Sequence, residues 1–292
     1  MTAIAPESVL KQLGELWTGL ASPEAGASTE SGVLRACAMT FLVALDASDD
    51  PQKIGETIAE LMHEHPSRAI VLKPGPDGTA LDARVFAQCW MPFGKRQQIC
   101  CEEIEITAPS TNAAEAARLV LGLLAPDLPK VLWIRGPAWL KAAGFDDVLR
   151  LMTKVIIDTA CGCGLPAISW LKQYVPLVAD LAWTRSTAAR QEIWRFFDDP
   201  ANGEALKSVN TIIAPKTEPY VAAWLLRSLP GAKLTITEGP AGRVRLEGSG
   251  AAFEFELAPP PETEYLLLRE ELGITGPDRV FEAALPVAES IA

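Results

Sequence analysis

A glycine-bearing turn has the spacing of a dinucleotide-binding loop. The run Gly162-Cys163-Gly164-Leu165-Pro166-Ala167 fits G-x-G-x-x-A and directly follows a predicted strand that ends at Thr159. Glycines at this spacing let a pyrophosphate approach the backbone at a helix N-terminus, and Asp180 lies about where a ribose-binding acid is expected. Yet the turn comes late in its domain, and Pro166 lacks an amide donor. The pattern favours an ordinary strand-to-helix turn; the alternative is a nucleotide- or sugar-phosphate-binding enzyme or sensor.

Four of the six cysteines stand in two close pairs, Cys100 with Cys101 and Cys161 with Cys163. Neither pair has the two-residue gap that structural zinc prefers, so we predict no zinc site here. We expect buried, inert thiols, which are usual for sparse cysteines in a reducing compartment. The alternative is a thiol–disulfide switch with a thioredoxin-type partner, because both pairs lie in or beside predicted strands that a sheet could bring together.

The two histidines, His63 and His65, stand together near a predicted helix end. Their spacing differs from H-E-x-x-H, and there is no third histidine, which argues against zinc catalysis. The sequence has no P-loop, EF-hand or kinase motif, and no Ser/His/Asp spacing. The acidic cluster of Glu102, Glu103 and Glu105 alternates with isoleucines, so we expect it on the solvent face of a strand. These patterns predict a protein without catalysis, cofactor or metal.

Tryptophan beside arginine occurs twice in this otherwise acidic chain. Trp183 and Arg185 directly precede a predicted helix that begins after Ser186, and Arg190 lies in its first turn. Trp133 and Arg135 lie at the end of a predicted strand. Arginine next to tryptophan is typical of interface hot spots and anion sites. We therefore predict that these five residues contact a partner or form a structural pivot beneath the contact. Arginines on a solvated helix face are the alternative.

The elements that position these residues predict an α/β protein of two domains. In residues 1–180, apolar strands alternate with amphipathic helices, which indicates a Rossmann-like, mostly parallel sheet. We expect strands at 36–45, 68–72, 83–90, 98–106, 130–134 and 155–157, and helical segments at 7–20, from 51, 113–124, 138–143, 146–151 and 165–182.

Residues 181–292 predict a smaller α+β domain. Helices are expected at 187–197 and 219–229, and a strand at 208–213. Strands at 232–238, 242–248 and 252–257 are joined by short glycine-bearing turns, Gly239–Gly242 and Gly248–Gly250, which predicts an antiparallel three-strand meander. Pro259–Pro261 stops it, and two helical pieces finish the chain.

Composition narrows the class of partner. The chain has 292 residues, 49% hydrophobic and 22% charged, and a net charge of −11 without a basic tract. This balance argues against nucleic acid and anionic membranes as partners. No uncharged apolar run approaches the roughly 18 residues of a membrane span, and the N-terminus lacks the pattern of a signal peptide. We therefore expect a cytoplasmic protein.

Several stretches together resemble one protein family, the glucose-6-phosphate dehydrogenase assembly protein family, often called OpcA. Their order and spacing carry the resemblance over roughly residues 9–230. The matching stretches are His65–Arg68, Cys101–Ile104, Leu128–Gly136, Ile157–Thr159, Asp180–Arg185 and Tyr220–Leu229.

The resemblance implies a non-catalytic cytoplasmic protein that binds glucose-6-phosphate dehydrogenase and promotes its active oligomer. Such a protein would act as an allosteric activator and tune NADPH supply through the oxidative pentose phosphate pathway.

Overall fold

The computed structural model describes residues 4–20, 33–91, 98–238, 242–257 and 263–291. It divides the chain into two units, Met1–Ala179 and Asp180–Ala292. In the described part of the chain, no helix is long and apolar enough to cross a membrane. Most of the predicted turn at 239–242 and the proline stop at 259–261 lie outside the described residues.

The first unit contains an eight-stranded sheet. Its strands are β1 Val33–Arg35, β2 Met39–Ala44, β3 Ser67–Pro74, β4 Asp82–Trp90, β5 Gln98–Ala108, β6 Lys130–Ile134, β7 Lys154–Ile157 and β8 Leu177–Asp180. They are ordered β1-β5-β3-β2-β6-β7-β8, and β4 pairs antiparallel with β5. The pairings of β5, β3, β2, β6 and β7 are parallel. From β5 to β8 the strands have the doubly wound order. Starting from β2, the chain adds β3 and β5 on one side and then β6, β7 and β8 on the other, so the order reverses at β2.

The helices of the first unit follow from local sequence signals. They are α1 Pro6–Leu20, α2 Pro51–Glu64, α3 Ala113–Leu123, α4 Phe145–Leu149 and α5 Pro166–Leu171, with 3₁₀ turns at Ser110–Asn112, Trp139–Lys141 and Thr159–Cys161. Asp50 caps α2, because its side chain accepts a hydrogen bond from the Gln52 amide, and Pro51 occupies the first turn. The helix expected at 138–143 is only the short 3₁₀ turn.

The core of the first unit is centred on β2. Residues 40–44 of this strand are all buried. A continuous apolar run is typical of a parallel strand with both faces covered, which confirms the strand expected at 36–45. On α3 the buried side chains include Ala116, Val120 and Leu123, which form an apolar stripe at helical spacing.

The acidic cluster of β5 does not form a solvent face, so that expectation was wrong. Glu102 is fully buried and Glu103 nearly so. The Glu102 carboxylate accepts hydrogen bonds from the Trp17 indole, 3.0 Å away, and from Arg68 Nε, 2.6 Å away, and it also pairs with Arg35. Buried carboxylates need such partners to offset lost hydration. Glu102 thereby joins α1 to the sheet.

Among its described residues, the second unit combines six helices with a four-stranded sheet. The helices are α6 Leu181–Arg185, α7 Thr187–Asp198, α8 Gly203–Lys207, α9 Pro219–Ser228, α10 Glu264–Gly273 and α11 Arg279–Ile291, with a 3₁₀ turn at Pro200–Asn202. The strands are β9 Val209–Pro215, β10 Lys233–Thr237, β11 Arg243–Gly248 and β12 Ala251–Glu256, in the order β10-β9-β11-β12.

The fold class is as predicted, but two local details differ. The expected helical segment 165–182 is divided into α5, β8 and α6, because Pro176 prevents the helix from continuing. The antiparallel strands of the second unit are β9, β11 and β12, whereas β10 pairs in parallel with β9. Helix α9 connects these two parallel strands, so β9, α9 and β10 form a β-α-β unit. In the sheet, β9 therefore lies next to β11, the position that the predicted meander would have given to β10.

Candidate functional site

Trp133 is a core residue of the first unit rather than an exposed contact. It lies in β6 with 1% of its surface exposed. The guanidinium of Arg135 lies over its ring, with Cζ 4.7 Å from the centroid, and Nε is 2.7 Å from Asp49 Oδ1. The Arg135 amide also donates to the Ala44 carbonyl at the end of β2. Arg135 thus joins the ends of β2 and β6 to the loop after β2.

That loop is acidic and tightly hydrogen-bonded. Asp46 Oδ1 accepts hydrogen bonds from the amide and hydroxyl of Ser48, and the Asp46 amide donates to Asp49 Oδ2. Gly136 packs directly against it: a Cβ on this glycine would lie 2.8 Å from Asp46 Cγ. Carboxylates therefore occupy the turn after the first strand of the doubly wound set.

In the second unit, Trp183 is the centre of a buried polar and aromatic cluster. Only 4% of its surface is exposed, and its indole N–H donates to Asp278 Oδ2 over 2.8 Å. The rings of Tyr220 and Phe281 each lie with centroids 5.6 Å from it. The Arg190 guanidinium covers the indole, with Cζ 3.5 Å from the centroid.

Arg190 is fixed by hydrogen bonds as well as by this stacking. Its Nε donates to Ser186 Oγ and its Nη2 to Thr187 Oγ1, each over 3.0 Å. Burial lowers the pKa of Arg190 to about 10, while the negative charge of Asp278 opposes that shift. A cation so held is worth more than an exposed one, because it is partly desolvated against the ring.

Asp180 has a structural role in the same unit. Its Oδ1 caps α6 by accepting from the Ala182 amide, and its Oδ2 accepts from the Tyr220 hydroxyl over 2.5 Å. Thr184 of the same helix donates to Glu271 Oε1 over 2.6 Å. The carboxylate of Asp180, considered above as a ribose-binding acid, therefore holds α6 in place.

Arg185 lies at the edge of this cluster and is half-buried. Burial raises the pKa of Glu218, and the nearby positive charge of Arg185 acts in the opposite direction. Of the three predicted partner-contact residues in this unit, Arg185 and Arg190 keep part of their surface accessible, whereas Trp183 does not.

An exposed aromatic side chain on α7 is the contact candidate that the sequence analysis missed. Trp194 has 50% of its surface exposed. It rests on Phe197 and Trp224, with ring centroids at 6.4 and 6.5 Å, and those two rings stack nearly parallel at 6.1 Å. Arg190 is one helical turn away on the same face. We call Arg190, Trp194, Phe197 and Trp224 the α7 surface.

The signal for this surface was present in the helical spacing. Ala189 and Ile193 form the buried stripe of α7, and Trp194 follows Ile193 by one position. Adjacent helical residues point about 100° apart, so Trp194 leaves the buried face. Phe196 packs instead against Phe253 and Phe255 of β12, which holds the helix on the sheet.

The glycine turn at 162–167 lies after β7, two strands from the point at β2 where the order reverses. Gly162 and Gly164 have φ of +120° and +69°, which explains glycine at both positions. The helix that follows, α5, spans only six residues. The turn is thus removed from the place where doubly wound sheets hold dinucleotides.

The cysteine pairs are not brought together by the sheet. Cys100 forms a disulfide with Cys89 across the β4–β5 pair, and β5 is separated from β7 by β3, β2 and β6. Cys101 is buried, and this burial raises its pKa to about 11. Cys161 is exposed and Cys163 half-buried.

No group of three or more His, Cys, Asp or Glu side chains is arranged to hold a metal in the described ranges. His63, one of the two histidines, packs against Trp90 with ring centroids 4.8 Å apart. The histidines therefore provide no metal centre among the described residues.

Comparison with known proteins supports the resemblance predicted from the sequence. Residues 58–169 match the family described as "Glucose-6-phosphate dehydrogenase subunit N-terminal domain". A Synechocystis sp. protein named as an OxPP cycle protein OpcA is 27% identical over 228 residues, which cover 73% of this chain and 47% of that protein. The chain thus spans about half the length of this relative.

A solved structure described as "Trehalose-6-phosphate from E. coli bound with UDP-2-fluoro glucose" is also similar. It shares 10% identity at a TM-score of 0.26, over 68% of this chain and 63% of that one. A likeness of this size supports no conclusion about fold or function.

Proposed function

We propose that this chain, whose residues 58–169 match the glucose-6-phosphate dehydrogenase subunit family, is a non-catalytic assembly factor and allosteric activator of glucose-6-phosphate dehydrogenase. Its role is to bind the enzyme and favour its active oligomer in the oxidative pentose phosphate pathway. The observation that carries the proposal is the family match, together with the similarity to the Synechocystis protein.

Activation requires only differential binding. A protein that binds the active oligomer more tightly than the inactive form shifts the equilibrium between them by the ratio of the two affinities. The assembly factor therefore needs a contact surface and no reactive group.

The α7 surface supports this function in the second unit. A half-exposed tryptophan supported by two further aromatic rings offers a large apolar contact at little entropic cost, and tryptophan and arginine are enriched at interface hot spots. We assign Trp194, Arg185 and Arg190 to the contact with the dehydrogenase. Trp183 acts as the pivot beneath, because it is buried and holds Arg190 in place.

In the first unit, Arg135 is assigned to the contact, with Trp133 as its support. The guanidinium lies over the buried indole and is held by Asp49, so its geometry is fixed before any partner binds. Pre-organised side chains lose less conformational entropy on binding.

The test is to mix the chain with glucose-6-phosphate dehydrogenase from the same organism. Light scattering gives the mass of the complex, and NADPH formation gives the activity in the same sample. We expect a heavier complex together with a higher turnover or a lower apparent KM. Co-elution without activation would contradict the activator role, and absence of any complex would contradict the partner.

A further inference from the structure

The reversal of strand order in the first unit creates a crevice at the carboxyl ends of its strands. From β2, the chain continues to β3 on one side and later returns to β6 on the other. The connections that leave the adjacent strands β2 and β6 therefore run in opposite directions along the sheet, and open α/β sheets bind their ligands outside the strand ends at this position.

A cleft of about 630 Å³ lies at these strand ends. This volume is within the usual range for small-molecule sites. The wall contains residues that follow β2, β3 and β5 and the segment after β6; they are Leu45, Ala47, Pro74–Asp77, Ala108, Ser110, Thr111, Ala113, Ala114, Ala138, Trp139 and Lys141–Ala143.

Hydrogen bonds between elements form this cleft in advance of any ligand. The Gly75 amide donates to the Ala108 carbonyl over 2.8 Å and joins the ends of β3 and β5. On the opposite wall, the Trp139 indole donates to the Leu45 carbonyl over 2.9 Å, and this bond is buried. The backbone that shapes the cleft is thus fixed on both sides.

The polar groups of the wall favour an anion attached to a small body. Lys141 is the single cation among the lining residues, and its ammonium has no hydrogen-bond or ion-pair partner in the described part of the chain. Asp77 is the one carboxylate among the lining residues; it accepts from the Ser110 hydroxyl over 3.1 Å and keeps its negative charge, so the preference for an anion rests on Lys141. The rest of the wall is mostly alanine, which leaves room for a compact carbon skeleton.

The turn after β2 excludes the other class of ligand common at this position. A dinucleotide would place its pyrophosphate on the turn between β2 and α2. That turn contains Asp46 and Asp49, and the carboxylate of Asp50 already accepts from the amide at the start of α2. Carboxylates there repel a pyrophosphate and occupy a donor it would need.

We propose that this cleft binds a small metabolite carrying a single phosphate group, with the phosphate at Lys141 and the carbon skeleton against the alanine wall. None of the residues that line the cleft is among the contact residues assigned above, so the cleft adds a metabolite-binding site to the proposed assembly role.

The test is isothermal titration calorimetry of the full chain, without dehydrogenase, against a hexose 6-phosphate, the unphosphorylated hexose, inorganic phosphate and NADP. We expect saturable binding of the hexose phosphate at one site, and much weaker binding of the other three. Absence of saturable binding, equal affinity for inorganic phosphate, or preferential binding of NADP would each overturn the proposal.

Variants locate the site. Lys141→Gln should weaken hexose-phosphate binding by about tenfold or more, because a charge-assisted hydrogen bond is lost. Ala114→Leu should abolish binding by filling the cleft. Lys53→Gln removes an exposed lysine of α2 and is the matched control, with affinity unchanged. Unchanged affinity in folded Lys141→Gln, verified by circular dichroism, would contradict the assignment. Because the titration contains no dehydrogenase, a negative result would overturn the metabolite site without bearing on the assembly role, which is tested by light scattering and NADPH formation.

Discussion

The guanidinium of Arg190 covers the buried indole of Trp183 at 3.5 Å from the ring centroid. Arg190→Ala should lower the free energy of unfolding by roughly 1–3 kcal/mol, because a desolvated cation–π contact and two hydrogen bonds are lost together. Urea unfolding followed by tryptophan fluorescence measures this. Arg195→Ala, an exposed arginine of the same helix, should change stability by less than about 0.5 kcal/mol. Equal effects of the two variants would contradict a specific role for the stacking.

Trp194→Ala should weaken binding to the dehydrogenase about tenfold or more while leaving the thermal unfolding midpoint nearly unchanged. The reason is that the side chain is half-exposed and its loss removes contact area rather than core packing. Val280→Ala is the matched control, since Val280 is 51% exposed in the same unit. Light scattering and a binding titration give the affinities, and equal binding by both variants would remove Trp194 from the contact.

Gly136→Ala should destabilise the first unit by roughly 2 kcal/mol or more. Its new Cβ would lie 2.8 Å from Asp46 Cγ and displace the carboxylate from its bonds with Ser48. Gly55→Ala is the contrasting variant: no atom lies within 4 Å of its Cβ, and it lies inside α2. That variant should stabilise by about 0.5–1 kcal/mol. Chemical denaturation of both variants measures the two changes in the free energy of unfolding, which should have opposite signs. An unchanged free energy of unfolding in Gly136→Ala would contradict the clash with Asp46.

Glu103→Gln should stabilise the chain at neutral pH. Burial raises the pKa of Glu103, although the hydrogen bond from Gln88 and the charge of Lys73 oppose the shift. A raised pKa means that the folded chain holds this proton to a higher pH than the unfolded chain, so the ionised carboxylate costs stability above the folded pKa. The cost disappears as pH falls through that pKa. Melting temperatures measured from neutral pH toward acid should show the gain of the variant narrowing.

A control for this pH dependence is Glu105→Gln. Glu105 pairs with Lys73, and its charge also raises the pKa of Glu103, so its neutralisation removes an ion pair while relieving a repulsion and should stabilise the chain less than Glu103→Gln does. A pH-independent gain for Glu103→Gln would mean that improved packing, and not the buried charge, explains its effect.

Local patterns predicted those elements whose signals lie within one segment. The helix at 7–20, the helix that begins at residue 51 and the strand within 36–45 each depend on residues close in sequence, and the structure has each of them. β8 was missed because Leu177–Asp180 is only four residues long and its neighbours form helices.

The partners of the arginines and carboxylates could not be predicted in this way. Glu102 looks like any exposed glutamate of a strand, and its burial depends on Trp17, which is distant in sequence. Trp183 likewise owes its burial to Asp278 and Phe281 near the end of the chain. Burial of a charge or an indole is a property of the assembled fold, so only the structure distinguishes the pivot Trp183 from the exposed Trp194.

The pairing of β2 with both β3 and β6 has a consequence for synthesis on the ribosome. Its register joins residues 40–44 to residues 130–134, so one edge of this buried strand has no partner until β6 has been made. At roughly 5–20 residues per second, that interval lasts on the order of 5–20 s. During this time the nascent chain presents an unpaired strand edge. Chaperones can bind this edge, and it can also pair with the same strand of a neighbouring nascent chain and cause aggregation.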